Sequence, residues 1–137
     1  MREAIAALPG ELREAIVVKT RHDSGTEYTA AQVVVTNGGK QAVYQAFATL
    51  VDPGDEVLIP TPYWVSYSDL VSMTGAVPVL LPASLVEGFR LPAERLEKAI
   101  TPRTKMVLLN SPSNPTGAVY TKAELESIAK VVLAHDL

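Results

Sequence analysis

Three short clusters in this 137-residue chain carry residue types that can hold a small anionic or flat ligand. The first is Asn37-Gly38-Gly39-Lys40. Glycine lets the backbone approach a ligand closely, and the N–H groups at a helix start favour an anion. The cluster reads either as a phosphate cradle or as a strand-to-helix turn that uses glycine for its dihedrals. The GxxxxGK[ST] spacing of a nucleotide-binding P-loop is absent. The second is Thr61-Pro62-Tyr63-Trp64, where an aromatic ring can stack on a flat ligand or simply pack at a helix start. The third runs from Asn110 to Gly117. Two prolines, a glycine and short polar residues make it an irregular loop, and an asparagine there can donate to a ligand oxygen. It also reads as a capped turn, but the order Asn114-Pro115-Thr116-Gly117 is the most specific signal of the three.

The elements that must position these clusters alternate. Leu12, Ala15, Ile16 and Lys19 recur at helical spacing and predict a helix from Glu11 to about His22. Val33-Val34-Val35 reads as a buried strand. Ala42, Val43, Ala46, Phe47 and Leu50 form one stripe of a helix from Gly39 to Val51. Asp52-Pro53-Gly54-Asp55 is a turn. Strands are expected over 56–59, 77–81 and 106–109, and helices over 63–74 and 92–100, with Pro92 suited to a first turn. Thr121 and Glu124 form a capping-box pattern that opens a last helix running to about His135. Strands separated by helices predict an α/β fold with a mainly parallel sheet covered on both faces. No domain boundary or convincing repeat is visible. All three clusters follow the carboxyl ends of predicted strands, where open α/β sheets bind ligands.

Composition removes several function classes. Hydrophobic residues make up 47% and charged residues 20%, with a net charge of −3. No basic cluster points to nucleic acid. Apolar runs are short and end in Pro, Gly or Asp, so no membrane span is expected. Arg2-Glu3 and Pro9-Gly10 argue against a signal peptide. With no cysteine, disulfides, thiol nucleophiles and cysteine metal sites are excluded, which fits the cytoplasm. His22 and His135 lack metal-ligand spacing and are expected on helix surfaces.

Three phrases carry a family resemblance: Val35-Thr36-Asn37-Gly38-Gly39-Lys40-Gln41-Ala42, Asp52-Pro53-Gly54-Asp55-Glu56-Val57 and Asn114-Pro115-Thr116-Gly117. They resemble the class I/II aminotransferases of fold type I, within the aspartate-aminotransferase-like subgroup, over about Glu11 to Leu137. The resemblance implies part of a large cofactor-binding domain and pyridoxal 5′-phosphate as cofactor. It implies a cofactor contact set of Gly38, Gly39, Lys40, Trp64 and Asn114. Backbone N–H groups of Gly39 and Lys40 would meet the phosphate, Trp64 would stack on the ring, and Asn114 would reach the ring's 3′ oxygen. Lys40 would face an acidic substrate's distal carboxylate or stand in solvent, and Asn114 lies beside the substrate. Cis bonds are expected before Pro62 and Pro115 through the resemblance alone. The implied activity is amino transfer from an amino acid to a 2-oxo acid in a homodimer. Alternatives are a carbon–sulfur lyase or synthase on the same fold, a cofactor-sensing effector domain, and a non-catalytic binding domain.

The departures from the family are equally specific. By the resemblance, the cofactor-tethering lysine, the aspartate for the pyridine nitrogen and the arginine for the substrate carboxylate all follow Leu137. Lys19, Lys40, Lys98, Lys105, Lys122 and Lys130 do not stand at the tethering position. The small domain is missing, and Met1 to Gly10 matches poorly. The expectation is a partial sequence that is inactive alone. The Val33 strand would lack its ladder partner, a late strand, while the other three strands lie side by side. The isolated chain is therefore expected to fold poorly.

Overall fold

Glu56, Val57, Leu58 and Ile59 are all buried, and they form the start of the central strand of a three-stranded sheet. The computed structural model describes residues 10–137. These residues divide into two compact units, with the division between Gln45 and Ala46. The readings placed on residues 1–9 (the argument against a signal peptide and the poor family match) lie outside the described residues.

The first unit opens with α1 (Gly10–Ser24), longer than expected by a residue or two at each end. Gly25, at φ 71°, closes it by donating its N–H to Arg21 O at 2.9 Å. His22 lies on its exposed surface. A short 3₁₀ turn, Ala30–Gln32, was not foreseen. The run over 33–35, expected as a buried strand without its ladder partner, is corrected in its burial. Val33 is extended, but this run joins no ladder among the described residues, and Val34 is 62% exposed. A strand is made by its partner, and apolar β-branched sequence supplies only the propensity. The helix α2 (Gly39–Leu50) follows the glycine turn.

The second unit holds the sheet, ordered β2-β1-β3 and parallel throughout. Its elements are β1 (Glu56–Thr61), α3 (Ser66–Ser72), β2 (Val77–Pro82), α4 (Ala93–Ala99), β3 (Thr104–Val107) and α5 (Lys122–Ala134). α3 begins three residues later than the sequence suggests, and β3 is shifted toward its start. Leu58, Leu81, Leu91, Leu96, Tyr120, Ile128 and Val131 form one buried cluster, joining β1 and β2 to α4 and α5. Val57 and Ile59 point the other way along β1 by the two-residue period of a strand. α3 packs on β1 and β2 and buries Val71. β2 is an edge strand, and Val77 and Leu80 are each 46% exposed, so its two faces are less covered than its apolar sequence implies. Thr121 and Glu124 form the expected capping box at the start of α5. Pro92 precedes α4 as its cap at φ −65°, ψ 145°. His135 caps the end of α5 and is exposed.

The amino end of β1 is fastened by charge. Glu56 is 5% exposed, yet its carboxylate accepts from Thr101 Oγ1 at 2.5 Å and from Arg103 at 2.6 and 3.1 Å. Thr104 Oγ1 adds a contact at 3.3 Å. The threonine hydroxyl and then the guanidinium hold the carboxyl below its ordinary value, against the opposing effect of burial. Sequence reading places Glu56 at the start of a strand and in one family phrase, and assigns its carboxylate no partner.

Candidate functional site

In the first unit, the turn before α2 is shaped by Gly38 at φ 93°. A side chain there would be strained whatever the space around it. Two donors of the turn are satisfied locally: Asn37 N–H by Gln41 Oε1 at 2.6 Å and Gly38 N–H by Thr36 O at 2.9 Å. Ala42 N–H donates to Gly38 O at 3.3 Å, joining the turn to the helix. Gly39, Lys40 and Gln41 stand in the first turn of α2. A Cβ built at Gly38 or Gly39 meets no atom within 4 Å, so the backbone of both is approachable. Lys40 is exposed in that turn.

In the second unit, a narrow cleft is lined by Pro60, Pro62, Tyr63, Tyr67, Phe89, Leu108, Leu109, Asn110, Ser113, Asn114 and Tyr120. It lies where the chain leaves β1 and β3. Asn114 is in this lining, but Trp64 is not. Trp64 meets the ring of Tyr67 edge-on, centroids 5.4 Å apart, and Tyr67 reaches the cleft. Tyr63 donates to Ser68 Oγ at 3.0 Å. The bonds before Pro62 and Pro115 are cis as the resemblance implied, and so is the one before Pro112, which was not anticipated.

The loop over 110–117 is held by its own polar groups. Asn110 Oδ1 accepts Asn114 N–H at 2.9 Å. Ser113 N–H donates to Ala118 O and Gly117 N–H to Ser113 O, both at 2.8 Å. Ser111 Oγ accepts Tyr120 N–H at 3.2 Å. Tyr120 then ties this loop to the one after β2, because its hydroxyl accepts Leu91 N–H at 2.8 Å. Burial pushes the Tyr120 phenol up, and the Leu91 N–H opposes that shift. Arg90, one residue before Leu91, donates to Glu124 at 2.9 Å. Phe89, Tyr120 and Tyr67 are cleft residues that the sequence analysis missed. Phe89 stands at φ 57°, and nothing in Gly88-Phe89-Arg90 announces that.

A family model described as aminotransferase class I and II matches residues 6–137, starting slightly before the motifs do. The chain belongs to the class I and II aminotransferase family. Among the relatives of this aminotransferase chain is the aspartate/prephenate aminotransferase of Cereibacter sphaeroides. It is 52% identical over 96% of the chain and 33% of its own length. The aspartate aminotransferase of Geobacillus stearothermophilus is 50% identical over 90% of the chain and 32% of its own length. The solved aspartate aminotransferase of Thermus thermophilus with maleate superposes at a TM-score of 0.90. It has 48% identity and covers 93% of the chain and 34% of that structure. An aromatic aminotransferase from Pyrococcus horikoshii superposes at 0.91 with 42% identity, over 94% of the chain and 35% of that structure. The aminotransferase chain thus spans about a third of the length of these relatives. Among its described residues no helix is long and apolar enough to cross a membrane.

Proposed function

We propose that these residues belong to a pyridoxal 5′-phosphate-dependent aminotransferase that moves an amino group from an amino acid to a 2-oxo acid. Aspartate or another acidic amino acid is the first candidate donor. The observation that carries the reading is the family match, which spans both the glycine turn and the 110–117 loop. The donor sets in both places suit the cofactor. An open backbone at Gly38 and Gly39, at the start of a twelve-residue helix, offers first-turn N–H groups to a phosphate. The Asn114 carboxamide offers a donor to a ring oxygen. Bound pyridoxal phosphate supplies an electron sink for bonds broken at the substrate's α-carbon.

Each residue then has a task. Gly38 sets the turn, while Gly39 and Lys40 hold the phosphate through their N–H groups. Trp64 covers the ring face, and its edge contact with Tyr67 fixes the indole plane. Asn114 orients the ring through its 3′ oxygen and borders the substrate. The Lys40 ammonium attracts the distal carboxylate of an acidic donor. By the family resemblance none of Lys19, Lys40, Lys98, Lys105, Lys122 and Lys130 stands at the tethering position, and we place the tethering lysine outside these 137 residues. We also place the small domain there, assign residues 1–137 to part of the large domain, and expect no transfer by the isolated chain.

The test is made on the full-length gene product. Absorbance titration with pyridoxal phosphate should give saturable binding. Incubation with aspartate and a 2-oxo acid should yield the matching new amino acid. Binding with release of ammonia or a thiol, and no new amino acid, would point to the lyase reading. A soluble homodimer in the cytoplasmic fraction is the expected state, checked by sedimentation and fractionation.

A further inference from the structure

We propose that Asn110 is a positioning residue for Asn114, on the reading that Asn114 is the contact to the cofactor's ring oxygen. The ladder contact of β3 with β1 ends at Leu108, whose N–H donates to Leu58 O at 2.9 Å. Beyond it the chain leaves the sheet, and Asn114 stands on an exposed loop. The backbone bonds among Ser113, Gly117 and Ala118 close that loop on itself and do not attach it to the strand. The attachment is the Asn110 carboxamide, two residues past the ladder, whose oxygen takes Asn114 N–H at 2.9 Å.

Asn110 itself is half-buried and borders the same cleft as Asn114, Tyr63 and Tyr67. Its oxygen fixes the Asn114 backbone, and its own base is fixed by the strand end. A second tie, from Tyr120 N–H to Ser111 Oγ, holds the residue beside it. The chemistry needed at position 110 is one acceptor at the end of a two-carbon arm. Aspartate keeps that acceptor, alanine removes it, and serine is too short to reach.

The experiment uses the full-length protein loaded with pyridoxal phosphate, with three readouts: amide exchange at Asn114, the pH midpoint of the bound cofactor's absorbance change, and cofactor affinity. In Asn110→Ala the Asn114 amide should exchange roughly two- to tenfold faster, the range given by losing one ordinary hydrogen bond. The absorbance midpoint should move in the same direction as in Asn114→Ala, by a smaller amount, and cofactor affinity should fall. Asn110→Asp should restore amide protection. If Asn110→Ala does not fold, Asn110→Ser is read in its place. Unchanged exchange at Asn114, or a midpoint that stays at the wild-type value while Asn114→Ala moves it, overturns the proposal. A midpoint unmoved by Asn114→Ala itself refutes the ring-contact reading instead, so the two failures are distinguishable.

Discussion

Replacing Tyr120 with phenylalanine removes one oxygen and leaves the ring, so the packing of the buried cluster is nearly unchanged. The lost group is the acceptor for Leu91 N–H at 2.8 Å. Tyr120 is 7% exposed and Leu91 2% exposed, which leaves little access for water to replace it. An amide donor buried without a partner costs about 1–3 kcal/mol. At about 1.4 kcal/mol per factor of ten, that accelerates opening-limited exchange of the Leu91 amide by roughly 5- to 150-fold. Local exchange is the proper assay, because a multidomain protein need not melt in two states. The comparison is Tyr63→Phe, whose hydroxyl serves a part-buried serine that water can reach. That variant should leave Leu91 unaffected. The reasoning fails if Tyr120→Phe changes Leu91 exchange by less than about twofold, or if Tyr63→Phe changes it equally.

Other outcomes follow from the same geometry. The Glu124 carboxyl is held down from 4.5 to about 2, first by Thr121 N–H, then by Arg90 and the Thr121 hydroxyl, with burial opposing. The folded state therefore binds fewer protons there than the unfolded one. Its stabilising effect is complete above about 4.5 and fades as the pH falls toward 2, and Glu124→Gln should flatten that part of an acid-unfolding profile. Gly75 stands at φ 85°, and a Cβ there would lie 3.1 Å from Pro53 Cβ, so Gly75→Ala should cost about 1–2 kcal/mol in denaturant titration. Leu96 is fully buried between α4 and the sheet, and Leu96→Ala should cost about 2–5 kcal/mol, read from the denaturation midpoint.

Local signals carried much of this fold. Thr121 and Glu124 announce the start of α5 because a capping box is a four-residue matter, and Asp52-Pro53-Gly54-Asp55 announces a turn for the same reason. The run Val33-Val34-Val35 is unpaired, as the expected lack of a late partner implied, and without that partner the burial read from its apolar sequence does not follow. Among the candidate residues, Asn114 of the second unit and the glycine turn of the first were each legible as motifs. Phe89 and Tyr120 were not, since what brings them to the cleft is the return of the chain after β2 and a contact across 29 residues. Trp64 was chosen for its ring, yet the residues of that cluster in the cleft are Pro62 and Tyr63.

The buried carboxylate at the foot of β1 bears on how the sheet finds its alignment. A run such as Val57-Leu58-Ile59 is nearly indifferent to sliding by two residues, since the same faces stay apolar. Glu56 opposes Val77 on one side and Thr104 on the other, and its carboxylate meets Thr101, Arg103 and Thr104 in that alignment. A slip of two residues would strand a charge in the interior without those donors, at a cost of several kcal/mol. Glu56 thus works as an index peg: it discriminates against the wrong alignments of β1, and every loop at the far end of the sheet inherits its position from that choice.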